Sequence, residues 1–381
     1  MLLLIFTILW FLTLNYFLYT LFKILLFRNV LNPKKQKPVN HFPFVSIIIP
    51  ARNEEHNIRR CITSLLSQSY PADRYKIIVV NDNSIDATES IIKELASNDN
   101  KVHLINKGEP EPEWTGKNSA CNEGSKHAGG DYICFIDADT KSETDLIKIS
   151  VSYAEENKID MLSVSPFQEL GSFTEKCLLP GIFLAIASSM NFKNINNPVK
   201  PEAIANGQFI LFRKSVYDDI EGHNSVKSIV MEDIALAEVV KHNGYRLFFI
   251  FGDDLIRTRM YTKLSEIWEG FSKNIAVIMK TRTFFTTFLS SLKSIFIGLA
   301  PLIIPLFLFF NQDSYSLYTL SFFGVGFTSL FILSFFSLRA MGVSPLYMIF
   351  FPVGFTFHSI ISLSSIFKQK KGRTEWKGRK Y

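Results

Sequence analysis

The sequence predicts an α/β domain with a largely parallel sheet, accompanied by apolar helices that can cross a membrane. From residue 44, short strands rich in β-branched and aromatic residues alternate with amphipathic helices, which is the pattern of parallel sheets. Leu, Phe, Ile and Tyr fill residues 1–27 almost without interruption, and further apolar stretches follow residue 284. The composition agrees, because 47% of the 381 residues are hydrophobic and the mean hydropathy is +0.15.

The apolar residues 1–27 are long enough to span a bilayer. They lack the basic start and the small-residue cleavage site of a signal peptide, so we expect a retained anchor. A linker is expected over residues 28–43. Its basic residues are Arg28, Lys34, Lys35 and Lys37. By the positive-inside bias, they predict a plasma-membrane protein whose α/β domain lies in the cytoplasm.

The α/β domain is expected over residues 44–283. Its predicted strands are Val45–Ile49, Tyr75–Val80, Val102–Ile105, Tyr132–Ile136 and Met161–Val164. The apolar stretch Leu178–Met190 is too short to span a membrane. It predicts either a core helix or an interfacial helix, and we favour the interfacial helix because an anchor already holds the domain at the surface.

Residues 284–367 contain three candidate spans, which are Ser294–Phe310, Tyr315–Leu338 and Pro345–Phe367. Three crossings from a cytoplasmic domain would leave the basic tail, residues 368–381, on the outside, against the positive-inside bias. We therefore expect one span to be re-entrant or interfacial. Pro301 and Pro305 indicate the first, because proline interrupts helix hydrogen bonding.

Charge and cysteine patterns exclude two classes of protein. The net charge of +6 is concentrated near the end of the chain, where seven basic residues between Lys368 and Lys380 are opposed only by Glu375. A nucleic-acid binder would be expected to carry a basic face on its folded part, whereas the middle of this chain mixes both signs. The four cysteines lack paired or metal-site spacing, which predicts reduced core thiols.

Two aspartates, Asp137 and Asp139, follow the predicted strand Tyr132–Ile136. Residues two apart on an extended chain point the same way, so their carboxylates converge. Converging carboxylates repel one another unless a cation lies between them, and a divalent metal carrying a phosphorylated substrate is a common solution. Alternatively, Asp139 or Thr140 caps a helix beginning near Glu143. These residues alone leave both interpretations open.

Other polar segments follow the predicted strands. Ligands bind such sheets outside the carboxyl ends of the strands, and this rule gathers Ala51–Glu54, Asn81–Ser84 and Asp137–Asp139 onto one rim. A glycosidase is excluded, because its two carboxylates must flank a sugar ring, and aspartates two residues apart on one strand cannot do so. The rim therefore predicts a phosphate-bearing ligand.

Four segments, in this order, resemble the family 2 glycosyltransferases of the GT-A fold. They are Pro50-Ala51-Arg52-Asn53-Glu54-Glu55, Asn81-Asp82-Asn83-Ser84, Asp137-Ala138-Asp139 and Glu232-Asp233. The resemblance covers residues 44–280. It implies a Rossmann-like catalytic domain that uses a nucleotide-sugar donor, expected to be UDP-linked, with Mg²⁺ or Mn²⁺ as cofactor.

The resemblance also implies a role for particular residues. The donor-binding set is Pro50, Ala51, Arg52, Glu54, Asp82, Lys117 and Asp137. The metal would be held by Asp139 with help from Asp137, and Asp233 would be the general base. The acceptor-side set is Asn206, Gly207, Gln208, Glu232 and Trp268.

Each of these roles has a structural alternative. Asp82 also fits a turn, and Lys117 also fits a solvated surface lysine. The acids of Glu232-Asp233 also favour the positive end of a helix dipole. Trp268 also fits an aromatic residue at a membrane interface.

More narrowly, the chain resembles a membrane-bound subgroup of this family. The segments that carry this resemblance are Trp114-Thr115-Gly116-Lys117, Asn206-Gly207-Gln208, Arg259-Met260-Tyr261, Trp268-Glu269-Gly270 and Glu375-Trp376-Lys377-Gly378-Arg379. The subgroup includes bacterial carotenoid-acid glucosyltransferases and hopanoid-associated glycosyltransferases. This resemblance implies a lipid acceptor in the bilayer, such as a carotenoid acid or another isoprenoid or glycolipid.

The sequence also allows a comparison with two other functions. A processive polysaccharide synthase resembles this chain but carries a Gln-x-x-Arg-Trp motif, and only the tryptophan is present in Leu264-Ser265-Glu266-Ile267-Trp268. A catalytically inactive membrane scaffold would be expected to have lost some of its acidic residues. Asp82, Asp137, Asp139 and Asp233 are all present, which favours an active transferase.

Overall fold

Two compact units make up the chain in the computed structural model, which describes residues 1–32, 41–188, 190–281, 284–310, 315–370, 375–376 and 379–380. The sheet unit comprises Arg28–Gln168 and Phe192–Met260. The apolar unit comprises Met1–Phe27, Glu169–Asn191 and Tyr261–Tyr381. This division differs from the boundary expected at residue 283. Residues 169–191 and those from 261 onwards belong to the apolar unit, because their helices pack against other helices of that unit.

The sheet unit alternates strands and helices as the sequence predicts. Numbered along the whole chain, its strands are β1 (Val45–Ala51), β2 (Tyr75–Asp82), β3 (Val102–Lys107), β4 (Tyr132–Ile136), β5 (Thr140–Ser142), β6 (Met161–Gln168), β7 (Phe209–Arg213) and β8 (Leu247–Thr258). Its helices are α2 (Ile58–Leu66), α3 (Thr88–Asn98), α4 (Gly116–Lys126), α5 (Leu146–Glu156), α7 (Phe192–Ile195), α8 (Lys214–Asp219) and α9 (Glu232–His242), with a 3₁₀ turn at Gly222–Val226.

One eight-stranded sheet forms the centre of this unit, in the order β3-β2-β1-β4-β7-β6-β8-β5. Strands β1 to β4 run parallel, and β6 runs parallel to β8. Strand β7 is antiparallel to both β4 and β6. The arrangement is therefore mainly parallel, as predicted.

Both faces of the central strands are buried, which explains their runs of Ile and Val. Because side chains alternate along a strand, Ile47 and Ile49 enter one core cluster while Ile48 enters the other. Strand β2 repeats the pattern, with Val79 in the first cluster and Val80 in the second. Helices therefore cover the sheet on both sides, and the loops at its carboxyl edge remain available for binding.

The antiparallel strand β7 brings a distant segment to this carboxyl edge. Ile136, the last residue of β4, pairs with Phe209, the first residue of β7. The backbone N–H of Asp137 donates to the carbonyl of Gln208 over 3.3 Å. The residues that precede β7 therefore lie beside the residues that follow β4.

The alternative in which Asp139 or Thr140 caps a helix is wrong. Thr140 begins β5, a strand that the sequence analysis missed, and pairs with Thr258 of β8. Helix α5 begins only at Leu146, and Asp145 occupies its N-cap position. The two aspartates thus lie directly before the short strand β5. Three residues are too few to predict a strand from sequence, and the strand that pairs with β5 lies more than a hundred residues away.

The apolar unit consists largely of helices. They are α1 (Leu2–Phe27), α6 (Phe173–Ala187), α10 (Leu264–Thr281), α11 (Phe284–Phe310), α12 (Ser316–Ala340) and α13 (Phe351–Lys370), with a 3₁₀ segment at Pro345–Phe350. Two short strands, β9 (Glu375–Trp376) and β10 (Arg379–Lys380), pair with each other in antiparallel orientation. Residues 33–40 of the expected linker lie outside the described residues, as do 371–374, 377–378 and 381 of the expected tail.

Four segments within the described residues can cross a membrane by length and composition, namely Leu2–Phe27, Phe288–Phe310, Ser316–Ala340 and Pro345–Ser365. The expected interruption at Pro301 and Pro305 is not seen, because α11 continues through both prolines. A proline removes one hydrogen bond of a helix without having to end it.

Helix α6 fits the core-helix alternative, whereas we had favoured an interfacial helix. Leu178, Leu179 and Ile182 are all buried. A Cβ on Gly181 would lie 3.0 Å from the backbone of Gly354 in α13, so the two helices approach closely where neither carries a side chain. Protein helices therefore cover most of the apolar surface of α6.

Gly124 allows α4 to pack closely on the sheet, and its replacement tests this packing. A Cβ there would lie 2.6 Å from Cγ2 of Ile48 and 3.1 Å from Cγ2 of Val80. Gly124→Ala should lower stability by about 1–3 kcal/mol, as overpacking of a core does. Thermal unfolding of the full chain in detergent measures the effect. Gly108→Ala is the control, since a Cβ there meets nothing within 4 Å. Equal melting temperatures for the two variants would contradict this packing.

Candidate active site

Two loops at the carboxyl edge of the sheet are joined to each other. The backbone N–H of Asn53, after β1, donates to Oγ of Ser84 over 3.0 Å, and the N–H of Ile85 donates to Oδ1 of Asn53 over 3.0 Å. Asn53 and Asn83 adopt the left-handed conformation, with φ of 53° and 55°, which asparagine tolerates better than most residues. The segments after β1 and β2 thus form one connected rim.

Four of the predicted donor-binding residues lie on this rim. Strand β1 continues through Pro50 and Ala51, which pair with β2, so the loop begins later than expected, at Arg52. Arg52 Nη1 donates to the carbonyl of Asp82 over 2.9 Å, and Asp82 is only 4% exposed.

Glu54 is a fifth predicted donor-binding residue on this rim, and it lies two residues beyond Arg52. Its backbone N–H donates to Oγ1 of Thr88, at the start of α3, over 2.7 Å. The loop is therefore held at both ends.

A charged cluster lies at the end of β4. Nζ of Lys117 is 2.8 Å from Oδ1 of Asp137 and 2.8 Å from Oε1 of Glu232. Lys117 lies in the first turn of α4, whose N-cap Thr115 accepts a hydrogen bond from the N–H of Asn118. Glu232 begins α9. Lys117 is therefore a paired lysine, and the alternative of a solvated surface lysine is wrong.

Gly207 lies against the cluster. Its N–H donates to Oδ2 of Asp233 over 2.9 Å. A Cβ at this position would be 2.9 Å from Nζ of Lys117 and 3.2 Å from Oε1 of Glu232. Only glycine therefore lets the turn between Asn206 and Gln208 approach both charges without displacing them.

The side chains beside Gly207 are engaged within the protein. Oδ1 of Asn206 accepts from the N–H of Gln208 over 3.0 Å, and the N–H of Asn206 donates to Oγ of Ser163 over 2.8 Å. Nε2 of Gln208 donates to Oγ1 of Thr258 over 3.0 Å, and Gln208 is 5% exposed. These contacts give Asn206 and Gln208 a role in shaping the turn.

The acids of the cluster differ in their pKa values. Burial raises the pKa of Asp233 to about 6, with a further rise from the negative charge of Glu232. Burial also acts to raise the pKa of Glu232, but the adjacent ammonium of Lys117 outweighs it, and the pKa of Glu232 is lowered. Burial raises the pKa of Asp137 despite the same ammonium. Asp233 can thus accept a proton close to neutral pH.

Other contacts hold the turn that carries Asp137 and Asp139. Oγ1 of Thr140 donates to the carbonyl of Asp137 over 2.9 Å, and Nη2 of Arg60 donates to the carbonyl of Asp139 over 3.0 Å. Both aspartate side chains belong to a turn whose backbone oxygens are already hydrogen-bonded. The two carboxylates carry oxygen atoms of the hard kind that Mg²⁺ and Mn²⁺ prefer.

The ligand set fits one kind of metal site. Across the part of the chain that the structure describes, no group of three or more His, Cys, Asp or Glu side chains is arranged to hold an ion. A resident metal would need such a group. An ion bound together with a diphosphate needs only one or two protein carboxylates, because phosphate oxygens and water complete its shell. Asp137 and Asp139 fit this second kind.

The comparison with known families bears directly on this edge of the sheet. Residues 46–221, which include both loops, the charged lysine and the two aspartates, match Glycosyl transferase family 2. The chain contains a family 2 glycosyltransferase domain. This match confirms the predicted family and, with the names of the relatives, supports glycosyltransferase activity.

Similar proteins include two staphylococcal ones named 4,4'-diaponeurosporenoate glycosyltransferase. The one from Staphylococcus haemolyticus is 28% identical over 253 residues, which are 66% of this chain and 66% of that protein. The one from Staphylococcus aureus is 28% identical over 355 residues, which are 88% of each chain. A probable glycosyltransferase of Bacillus subtilis, YdaM, is 39% identical over 126 residues, covering 33% of this chain and 28% of that one.

Among solved structures, a mannosyltransferase from Pyrobaculum calidifontis is similar with a TM-score of 0.55 and 17% sequence identity. The match covers 97% of this chain and 99% of that one. It confirms the predicted GT-A fold.

Trp268, which we expected on the acceptor side, belongs to the apolar unit and not to the unit that holds the family 2 domain. Its ring lies 5.8 Å from that of Phe357 in α13, in an edge-to-face contact. Trp268 thus packs against another helix of the apolar unit.

The family 2 domain also uses residues that the sequence analysis missed. Thr115 is the N-cap of α4. A threonine directly before a predicted helix is a visible sequence signal for such a cap. Asn118 is completely buried and bonds carbonyls of residues 226–229. No local pattern could have paired Asn118 with a segment that is more than a hundred residues away.

Lys117→Met tests whether the lysine neutralises the cluster. At pH 7 the loss of the ammonium should cost about 1–3 kcal/mol, less than for a fully buried pair because the lysine side chain is 35% exposed. Since the folded pKa of Glu232 is lowered, this pair stabilises the fold above the ordinary pKa of 4.5, and the contribution is lost as the pH falls through the folded value. The difference from wild type should therefore shrink below pH 4.5.

Thermal unfolding of both proteins between pH 4 and pH 8 measures this difference. Lys126→Met is the control on the same helix, because its lysine is 61% exposed and pairs with Glu123 at the surface. An exposed pair contributes about 0–1 kcal/mol. Equal losses at Lys117 and Lys126, or a loss that does not depend on pH, would show that the cluster is not held by this charge.

Proposed function

We propose that the chain is a membrane-anchored, metal-dependent, inverting glycosyltransferase. It transfers a sugar from a nucleotide-sugar donor, proposed to be UDP-linked, to a lipid acceptor such as a carotenoid acid or another isoprenoid. The charged cluster carries this proposal. Lys117 contacts the donor-side Asp137 and also Glu232, whose neighbour Asp233 has a pKa of about 6. One rim thus offers both a charged phosphate site and a base.

The relatives support a lipid acceptor. Two of them carry the name 4,4'-diaponeurosporenoate glycosyltransferase, and one of these matches over 88% of each chain. Among the residues that the structure describes, four helices are long and apolar enough to cross a membrane. We therefore propose a multi-pass plasma-membrane protein whose family 2 domain faces the cytoplasm, as the positive-inside bias of Arg28 and the following lysines suggests.

The donor site is proposed on the connected loops. Arg52, Glu54 and Asp82 would bind the nucleoside, with Pro50 and Ala51 ending the strand beneath it. Lys117 would contact the diphosphate as a point charge. The similar mannosyltransferase was solved with GDP-Man and Mn²⁺, which supports a nucleotide sugar and a divalent ion in general terms.

Asp139 and Asp137 would hold Mg²⁺ or Mn²⁺. Bound there with the diphosphate, such an ion would stabilise the negative charge that develops on the leaving nucleotide. The hydrogen bonds that hold the backbone of Asp137 against Gln208 and Thr140 support this assignment. Burial raises the pKa of Asp137, with a smaller rise from the charges of Glu232 and Glu54, and a bound cation would favour the ionised carboxylate.

Asp233 is proposed as the general base. The N–H of Gly207 donates to its Oδ2, and the N–H of Ile234 donates to its Oδ1, so the carboxylate is oriented before any acceptor binds. It would remove the proton of an acceptor hydroxyl as the oxygen attacks the anomeric carbon, and a single displacement inverts that carbon. An acceptor that is itself a carboxylate has no proton to lose, and Asp233 would then position it.

The decisive experiment supplies membranes containing the full chain with a panel of labelled nucleotide sugars and lipid acceptors. The labelled product is extracted and identified. A labelled lipid that appears only with an isoprenoid acid or alcohol supports the proposal. Transfer to a growing polysaccharide, or no transfer to any acceptor, would overturn it.

Asp139→Ala tests the metal ligand. Metal-stimulated transfer should fall at least about a hundredfold, since the charge on the leaving diphosphate would lose its stabilisation. Steady-state transfer with and without Mg²⁺ or Mn²⁺ measures this, and thermal unfolding checks that the variant is folded. Asp73→Ala is the control, because this aspartate side chain is 79% exposed and pairs only with the adjacent Arg74 among the contacts of the described residues. Undiminished metal-dependent transfer in Asp139→Ala would remove the metal assignment.

Asp233→Asn tests the base. With a hydroxyl acceptor, kcat should fall about a hundredfold or more while donor affinity changes little. In the wild-type enzyme, kcat/KM should fall as the pH drops through about 6, because a base must be deprotonated. A loss confined to donor affinity would contradict the assignment.

A further inference from the structure

We propose that Asn118 is a positioning residue that keeps the donor side and the base side of the charged cluster in register. This inference rests on the function proposed above. Asn118 follows Lys117 in α4 and is completely buried, with 0% of its surface exposed. Its Nδ2 lies 2.8 Å from the carbonyl oxygen of Val226 and 2.9 Å from that of Ile229. It does not touch the cluster itself among the contacts that the described residues show.

The segment that Asn118 holds leads directly to the proposed base. Ile229 is followed by two residues and then by Glu232 and Asp233. The carbonyl of Lys227 accepts a further bond from Nδ2 of Asn118 over 3.2 Å and one from the backbone N–H of Thr115 over 2.9 Å. The start of α9 is thus attached to the start of α4 by a group of hydrogen bonds. We call this group the Asn118 clamp.

The chemistry of the clamp is specific to a side-chain amide. Nδ2 carries two hydrogens, and with three carbonyls around it one hydrogen is shared. An aspartate at this position would offer no donor to these carbonyls. An alanine would remove the Asn118 donor from all three, although the carbonyls of Val226 and Lys227 would keep their backbone donors, Ile229 and Thr115. Few other side chains of this size could hold the turn. The buried asparagine therefore has a defined function at this place in the fold.

The geometry points to an effect on the reaction. Nζ of Lys117, in α4, lies 2.8 Å from Oε1 of Glu232, at the start of α9. The Asn118 clamp joins these same two helix starts. If the clamp loosens, Glu232 and Asp233 shift relative to the rim that binds the donor. A displacement of about 1 Å at reacting groups can lower a rate a hundredfold. Asn118 would thus act on turnover through Asp233 while leaving the donor loops in place.

The first test is Asn118→Ala in the full chain, assayed with the acceptor that the panel identifies. We expect kcat to fall about tenfold or more while the donor KM changes less than about twofold, since only the base side moves. Asn243→Ala is the matched control. That asparagine caps the other end of α9 and donates from Nδ2 to the carbonyl of Val239 over 2.9 Å. A rise in donor KM with unchanged kcat, or an equal fall in both variants, would overturn the proposal.

A double-mutant cycle separates positioning from a loss of stability. In a Lys117→Gln background, the contact that the clamp preserves is already absent. Asn118→Ala should then lower kcat less than about threefold, because effects within one contact network are not additive. A general loss of folded protein would instead multiply through both backgrounds. Full additivity would therefore reject the positioning role.

Hydrogen exchange gives a readout that does not need the acceptor. In Asn118→Ala, the amides of residues 226–234 should exchange faster than in wild type, while those of β1 and β2 stay unchanged. Unchanged exchange at 226–234 would reject the clamp, even if the enzyme transfers sugar as proposed. If wild type transfers to no acceptor, the proposed function fails on its own. Faster exchange would then still show that the clamp exists.

Discussion

The contact of the Lys117 ammonium group with two carboxylates holds together the charged cluster at the carboxyl edge of the sheet. Lys117 brings α4 to the end of β4 through Asp137 and to the start of α9 through Glu232. Three segments that are far apart in the chain therefore meet at one charge. Without that charge, Asp137, Glu232 and the neighbouring Asp233 would repel one another.

Two backbone features make this contact possible. Strand β7 runs against β4, so the turn that precedes it lies beside Asp137. Within that turn, Gly207 lacks a side chain where one would meet the lysine. A parallel β7 would have placed its first residue at the opposite edge of the sheet. The antiparallel insertion in a mainly parallel sheet thus has a direct chemical consequence, because it delivers the N–H that orients Asp233.

Much of the fold could be predicted from the sequence, because buried parallel strands have runs of Ile and Val and their helices have regular apolar spacing. The residues of the rim could also be predicted, because ligands bind such sheets outside the carboxyl ends of the strands. The features that could not be predicted depend on residues far away in the chain. Strand β5 is three residues long and exists because Thr140 pairs with Thr258. The pairing of Lys117 and the burial of α6 likewise depend on segments that no local pattern connects.

The linked asparagine loops have a thermodynamic consequence for ligand binding. Asn53 and Ser84 connect the segments after β1 and β2, and Glu54 is tied to Thr88, so these loops are ordered before a nucleotide arrives. Ordering a flexible loop on binding consumes part of the interaction free energy. For the proposed nucleotide-sugar donor, little of it would be consumed, and more of the free energy of nucleotide recognition would remain to hold the diphosphate against the charged cluster. The left-handed asparagines thus act as a form of preorganisation, encoded in two residues that contribute no charge of their own.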